Sequence, residues 1–157
     1  YPFCTSSDCL AIDALSMAGI SPWAAGVDEF EVWVVIRVYP IRVAGNSGPL
    51  RGETTWEALG LPEERTTVTN KVRRVGTFDP LLVRDAIAAN GGHSRVHIAL
   101  MMLDQLHREE EGAMLESELN EPALESIKLF EHQIDHPIEL VGTSPTTIVD
   151  RRDAIHG

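Results

Sequence analysis

The stretch from Val96 to Leu103 is an almost unbroken apolar run, interrupted only by His97 and followed at once by Asp104. A strand with one wet face alternates apolar and polar residues, so a continuous run predicts a strand covered on both faces. Strands of that kind belong to parallel sheets flanked by helices, and such sheets hold ligands beyond their carboxyl ends. Asp104 would stand at that end. It could accept two N–H donors from the edge of a base, or it could be a simple strand-end or turn residue.

The remaining elements fit the same architecture. A first helix is expected from about Asp8 to Gly19, capped by Ser7-Asp8, with Ala11, Ile12, Leu15 and Met17 apolar. Glu31 to Val38 is rich in Val, Ile and Trp and reads as a buried strand leading into a loop, Tyr39 to Pro49. Asp79-Pro80 is a strong helix start, because the carboxylate caps free N–H groups while proline at the first position loses nothing. Leu82, Val83, Ala86 and Ile87 then share one face, and Asn90-Gly91-Gly92 ends the helix. Glu109-Glu110-Glu111-Gly112 reads as a solvated break between two halves. Beyond it, Glu121-Pro122 opens a helix with Leu124, Ile127, Phe130 and Ile134 in one stripe, followed by a strand, Ile138 to Val141, and the loop Gly142-Thr143-Ser144-Pro145. Helix and strand alternate, which predicts an α/β fold with helices packed on a mixed, partly parallel sheet.

Composition narrows the partners. Thirteen Lys and Arg against 24 Asp and Glu give a formal net charge of -11, which disfavours non-specific binding to nucleic acid or anionic membranes. Any phosphate site must be built locally. Cys4 and Cys9 are too few for a disulfide framework and lack histidines at zinc spacing, so they read as reduced thiols of a cytoplasmic protein. No apolar run approaches the ~20 residues of a membrane span, and no charged-then-apolar leader opens the chain. The chain begins at Tyr1 in what reads as the middle of a structured stretch, and the expectation is a fragment of a longer unit.

Two segments could carry chemistry. Thr66 to Gly76 gathers hydroxyls with Lys71, Arg73 and Arg74 in an otherwise acidic chain. Such a density of donors suits carboxylate or phosphate oxygens, and it also suits a solvated basic loop or edge strand. Thr5-Ser6-Ser7, before a helix, could hold a phosphate or merely cap. The six histidines show no metal or triad spacing, no phosphate-loop motif occurs, and Trp23, Trp33 and Trp56 read as packing residues.

Taken together these segments resemble adenylosuccinate synthetase in its shorter archaeal and viral form. Tyr1-Pro2-Phe3-Cys4-Thr5-Ser6-Ser7 is similar to that family's Y-P-[FY]-V-T-S-S. Tyr39 to Pro49 is similar to Y-x-x-R-V-x-x-x-x-G-P, Thr67 to Gly76 to T-x-T-x-[KR]-x-R-R-x-G, and Gly76 to Asp79 to G-x-[FW]-[DL]. The order and spacing of four motifs is far more specific than any one of them.

The resemblance implies a ligase in which GTP phosphorylates O6 of IMP and the amine of L-aspartate then displaces that phosphate, in purine biosynthesis. It implies the C-terminal part of that domain over residues 1–157, without the N-terminal phosphate loop. Catalytic residues and the Mg²⁺ ligands are therefore expected outside this segment. Thr5 and Lys71 would meet IMP, and Thr67, Val68, Thr69, Asn70, Lys71 and Arg73 would meet the aspartate carboxylates. Arg73 would also approach the triphosphate. Lys71 stands where many members have arginine, which keeps the charge and loses the bidentate fork. Leu100 to Asp104 resembles L-T-K-L-D, so Met102, Leu103 and Asp104 would meet the triphosphate's base, with Met101 and Met102 replacing Thr and Lys. Gly142, Thr143 and Ser144 resemble the pocket's second wall. These departures leave GTP and ATP both open, and they motivate two alternatives: a viral-type enzyme joining dGMP to aspartate with ATP, and a non-catalytic nucleotide-binding remnant. A homodimer at full length is the family's habit.

Overall fold

A computed structural model describes residues 10–21, 26 and 30–156. Four strands form the main sheet: β1 (Val32–Arg37), β4 (Val96–Met101), β5 (Leu140–Gly142) and β6 (Ile148–Asp150), in the order β1-β4-β5-β6. β1, β4 and β5 run parallel, and β6 returns antiparallel beside β5. A separate two-stranded ribbon pairs β2 (Ile41–Arg42) with β3 (Arg74–Val75).

Two crossover helices, α2 (Pro80–Ala89) and α4 (Glu121–Ile134), join the parallel strands. Successive right-handed crossovers stepping the same way across a sheet land on one face, and α2 and α4 do touch each other. Asp79 caps α2 as its sequence implies, accepting from the Leu82 N–H at 3.3 Å with Pro80 at the first position. Asn120 does the same for α4, accepting from the Ala123 N–H at 2.9 Å. Ala123, Ile127 and Ile134 of α4 are fully buried, each large aliphatic contributing about 2 kcal/mol of burial.

β4 lies at the centre, with Ile98 and Leu100 wholly shielded. Its position bears out a central strand in a partly parallel sheet, but not cover on both faces: Val96, Ile98 and Leu100 are buried on one face, whereas on the other only Ala99 is buried and His97 and Met101 are half-buried. α1 (Ala11–Met17) meets this core at its first residue, where the Ala11 N–H donates to Asn90 Oδ1 at 2.8 Å. The expected Ser7-Asp8 cap lies outside the described residues.

Three other expectations need correction. The central strand stops at Met101, not Leu103: Met102 turns into the left-handed region at φ 67°, and Leu103 opens a short helix, α3 (Leu103–Leu106). Asp104 therefore sits on that helix, one turn past the strand end. The Glu109 to Gly112 segment is solvated at Glu109, Glu111 and Gly112 but not at Glu110, which is 3% exposed and accepts from the Asn120 N–H at 3.3 Å. The last strand of the parallel set begins at Leu140 rather than Ile138, although Glu139 already bonds through its N–H to Ile98 O at 3.1 Å.

The end of β6 is held by Arg151, which is buried against α4. Its Nε donates to Glu116 at 2.8 Å, and one Nη donates at 2.7 Å to both Glu131 and the Ile138 carbonyl. Burial works against this charge, but the bonds from Glu116 and Glu131 outweigh it and hold the guanidinium above its ordinary pKa.

Candidate functional site

The parallel strands deliver their carboxyl ends to one edge of the molecule, where the basic segment and Asp104 meet. Arg65 and Val72 face each other in an antiparallel bridge, and Thr67–Thr69 form the turn between them. Thr66 organises that hairpin. Its N–H donates to Lys71 O at 2.9 Å, its carbonyl accepts from the Asn70 N–H at 2.9 Å, and its hydroxyl meets Thr69 Oγ1 at 2.6 Å. Asn70 takes φ 50°, the left-handed conformation that asparagine tolerates in tight turns. Thr67, Val68, Thr69, Asn70 and Lys71 are consequently all exposed at the tip, Val68 at 94%.

The basic residues that follow have different fates. Arg74 is committed internally: it forks onto Glu53 with two bonds of 2.6 Å, and it donates to Gly48 O at 2.9 Å and Ser47 Oγ at 3.1 Å. It clamps the Ala44 to Pro49 loop onto the ribbon. Arg42, 6% exposed, reinforces that loop by donating to Ser47 O at 2.6 Å. Of the three cations in the Thr66 to Gly76 segment, Arg74 is thus paired within the chain. Arg73 is held by its backbone alone, its N–H on Glu64 O at 2.8 Å and its carbonyl on Trp56 Nε1 at 2.7 Å. Among the described residues its guanidinium makes no hydrogen bond or ion pair.

A joint that sequence reasoning missed brings this hairpin to the Asp104 helix. Arg37, the last residue of β1, forks onto Glu64 through both Nη atoms, one of them at 3.1 Å from Oε2. Gln105, next to Asp104 on α3, reaches the same carboxylate at 3.4 Å. Burial pushes the Glu64 carboxyl up, but the bonds from Arg37 and Gln105 and the charge of Arg73 bring it below its ordinary value. The sequence marks Arg37 as the lone cation closing an otherwise apolar strand, but nothing local names Glu64 as its partner.

Asp104 is half-buried. Burial, then the nearby Glu111, raise its pKa above the ordinary carboxylate value, while the Asp104 N–H partly offsets them. The second wall lies close by: the Gly112 N–H donates to Thr143 O at 3.4 Å, and Met101 rests on Gly142. Leu103 and Thr143 are fully buried, and the Thr143 hydroxyl donates to Ala113 O at 2.6 Å. Their side chains shape the wall from behind. Met102 and Ser144 are half-buried, and the Ser144 hydroxyl meets Thr147 Oγ1 at 2.6 Å. Thr5 lies outside the described residues. The arrangement offers an exposed hydroxyl-rich, cationic tip beside an acidic acceptor: a carboxylate or phosphate site adjoining a site for N–H donors.

A family model described as adenylosuccinate synthetase matches residues 1–115. The adenylosuccinate synthetase of Pyrococcus horikoshii is 37% identical over 160 residues, covering 99% of this chain and 44% of its own length. The structure of the cyanophage S-2L succinoaminodeoxyadenylate synthetase, bound to dGMP and dATP, superposes with a TM-score of 0.65 at 28% identity, over 96% of this chain and 41% of that one. The fully ligated adenylosuccinate synthetase of Plasmodium falciparum superposes with a TM-score of 0.73 at 20% identity, over 96% and 46%, and shares the fold. The chain spans less than half the length of these relatives.

Proposed function

The chain belongs to the adenylosuccinate synthetase family, and from that premise we propose that it is the C-terminal part of a ligase joining a purine nucleotide to L-aspartate at the expense of a nucleoside triphosphate. The observation that carries the reading is the Glu64 joint, which sets the cationic hairpin beside the Asp104 helix. One element suits the aspartate carboxylates and the other suits a purine base. Their adjacency is what a three-substrate reaction needs.

In this reaction the triphosphate's γ-phosphoryl moves to O6 of the purine. The amine of aspartate then bonds to C6 as the C6–O6 bond breaks, and inorganic phosphate and a proton leave. Phosphoryl transfer of this kind depends on positioning and on cations around the moving group. The hairpin's share is to orient aspartate: Thr67, Val68, Thr69 and Asn70 present donors, Lys71 also faces the nucleotide, and Arg73 neutralises a carboxylate close to the triphosphate. Thr5 would hold the nucleotide's phosphate. Asp104 would accept N–H donors of the triphosphate's base against the Gly142 to Ser144 wall, with Met102 and Leu103 beside it.

Mg²⁺ would supply charge neutralisation at the transferring phosphoryl. Its ligands are assigned, on the family resemblance, to the relatives' unmatched portion. The phosphate loop and catalytic groups are assigned there too, and we expect the 157-residue chain alone to form no adenylosuccinate. No described helix is long and apolar enough to cross a membrane. A cytoplasmic homodimer without nucleic-acid partners is the accompanying expectation.

GTP with IMP is the leading pairing. A viral-type reaction of dGMP with ATP is favoured by one feature of the sequence: Met101 and Met102 stand where the resemblance puts the family's Thr and Lys. The test is the full-length protein with aspartate and Mg²⁺, pairing IMP or dGMP with GTP or ATP, followed by succinyl-nucleotide formation. Product from IMP supports the leading pairing, and product from dGMP alone selects the viral one. No product from any pair leaves a non-catalytic nucleotide-binding remnant.

A further inference from the structure

Glu64 occupies a position that neither the hairpin nor the sheet needs for its own integrity. The hairpin closes through Thr66, Asn70 and Lys71, and the sheet closes through the register of β1 and β4. Glu64 contributes nothing to either ladder by its side chain. Its carboxylate instead binds the terminal residue of β1 and the residue after Asp104, while its backbone carbonyl takes the Arg73 N–H. One residue therefore touches three parts of the site: the strand end, the base-side helix and the cation that would neutralise aspartate.

The joint is built with groups that are costly to leave unpaired. Arg37 side-chain exposure is 19% and that of Glu64 is 27%. Among the described residues, Arg37 Nε and Gln105 Oε1 are buried without a hydrogen-bond partner. A partly buried charge pair with a bidentate geometry does something a simple apolar contact cannot. Apolar packing would join the hairpin to the sheet, but it would fix neither the azimuth of the hairpin nor the field at Arg73. A bidentate fork fixes both, because guanidinium and carboxylate lock in one plane.

Resting on the synthetase reading above, we propose that Glu64 is a positioning residue for aspartate, acting through Arg37 and Gln105 to set the hairpin tip and Arg73 against the Asp104 helix. It touches no reacting atom. Its loss leaves the hairpin folded but free to swing relative to the base side. Aspartate binding then weakens, whereas turnover of bound substrates changes little.

The test is steady-state kinetics on the full-length protein, varying aspartate, purine nucleotide and triphosphate in turn for wild type, Glu64→Gln, Glu64→Asp, Arg37→Met and the double variant Arg37→Met with Glu64→Gln. Thermal unfolding of each is measured alongside. The expected result is a rise of about tenfold in KM for aspartate in Glu64→Gln, the size of a coupling between contacting residues, with kcat changed by less than about threefold. Glu64→Asp should recover part of the loss, and the double variant should be no worse than the poorer single one. Equal losses for all three substrates, a fall in kcat alone, or additive single effects would show a merely structural role and overturn the proposal. A wild type active on IMP or dGMP with an unchanged Glu64→Gln overturns it while leaving the synthetase reading intact. A wild type inactive with every pair sinks both.

Discussion

Met101 fills the space beside Gly142: a Cβ built on that glycine would stand 2.5 Å from Met101 Cε and 3.0 Å from its Sδ. The thioether thus takes the place that a side chain on β5 would need. This contact closes the gap between the two walls of the proposed base site with a flexible group. Methionine yields readily, so Gly142→Ala should leave the unfolding midpoint nearly unchanged while pushing Met101 toward the base. The expected outcome is a rise in KM for the triphosphate of about fivefold, reversed when Met101→Ala is added, as for two residues in contact. A loss that the second change does not repair would place Met101 away from the base.

Asp104 supplies a pH test. Its folded pKa is raised by burial and then by Glu111, so the folded state holds its proton more tightly than the unfolded one. Stability from this group is full below the ordinary carboxylate value and is lost as pH rises through the raised value. The base's N–H donors want the ionised form, so KM for the triphosphate should climb as pH falls through the same window. Asp104→Asn should abolish that climb, raise KM at neutral pH by at least about tenfold, and unfold no more easily than wild type. A pH profile unchanged in the variant would remove Asp104 from base recognition.

Gly76 is a packing requirement rather than a conformational one. A Cβ there would stand 2.4 Å from Arg51 O, a backbone atom, and 2.9 Å from Leu50 Cγ. Neither can step aside without moving the loop that Arg74 clamps. Gly76→Ala should therefore cost about 1–3 kcal/mol, read as a shift in denaturation midpoint. Wild-type stability in this variant would mean the ribbon and the Leu50-Arg51 loop are not in contact.

What the sequence shows of this molecule depends on the range of the interaction. Asp79-Pro80 announces the start of α2 because a cap and its helix are three residues apart. The Val96 run announces β4 because a central strand buried on one face by Val96, Ile98 and Leu100 and partly on the other by Ala99 writes itself into consecutive apolar letters. The end of β4 is hidden, since Leu103 and Leu106 continue the apolar pattern and nothing local marks the left-handed turn at Met102. Glu110 looks like its two neighbours, and only the Asn120 N–H, ten residues on, distinguishes it. β6 was missed because a three-residue strand carries one buried side chain, Val149. At the site, the gathering of hydroxyls and cations in Thr66 to Gly76 is local and legible, but the hairpin that presents it is not, and the Arg74 fork onto Glu53 and the Arg37 fork onto Glu64 span 21 and 27 residues. No pattern of neighbours separates a cation spent on an acid from one awaiting a ligand.

Arg151 gives the stability test farthest from the proposed chemistry. It is 7% exposed and ties Glu116, Glu131 and the Ile138 carbonyl to the end of β6. Replacing it by methionine keeps much of the volume but strands two acids, one of them still accepting from the Ile138 N–H at 2.9 Å. Breaking a buried pair from one side costs about 3 kcal/mol or more. The shift should shrink in the triple variant Arg151→Met, Glu116→Gln, Glu131→Gln, because the stranded charges are then gone. Glu116 and Glu131 side chains are 31% and 21% exposed, so a small effect of Arg151→Met alone would mean that this partial exposure suffices to solvate both carboxylates.

The free edge of β1 gives the last. Among the described strands β1 pairs on one side only, with β4, and Val35 on it is 65% exposed. A cleft of about 510 Å³ beside it is lined by Val34, Val35, Ile36, Phe78 and Leu82. An apolar edge with unpaired backbone groups recruits further strands. The 157-residue chain on its own should therefore associate on concentration, and Val35→Lys should suppress that association, since a lysine on an edge must be desolvated before another strand can pair. Light scattering against concentration decides it. Because Val35 is already in water, the variant should keep its unfolding midpoint, and a lowered midpoint would show that the side chain is buried in solution by something other than self-association.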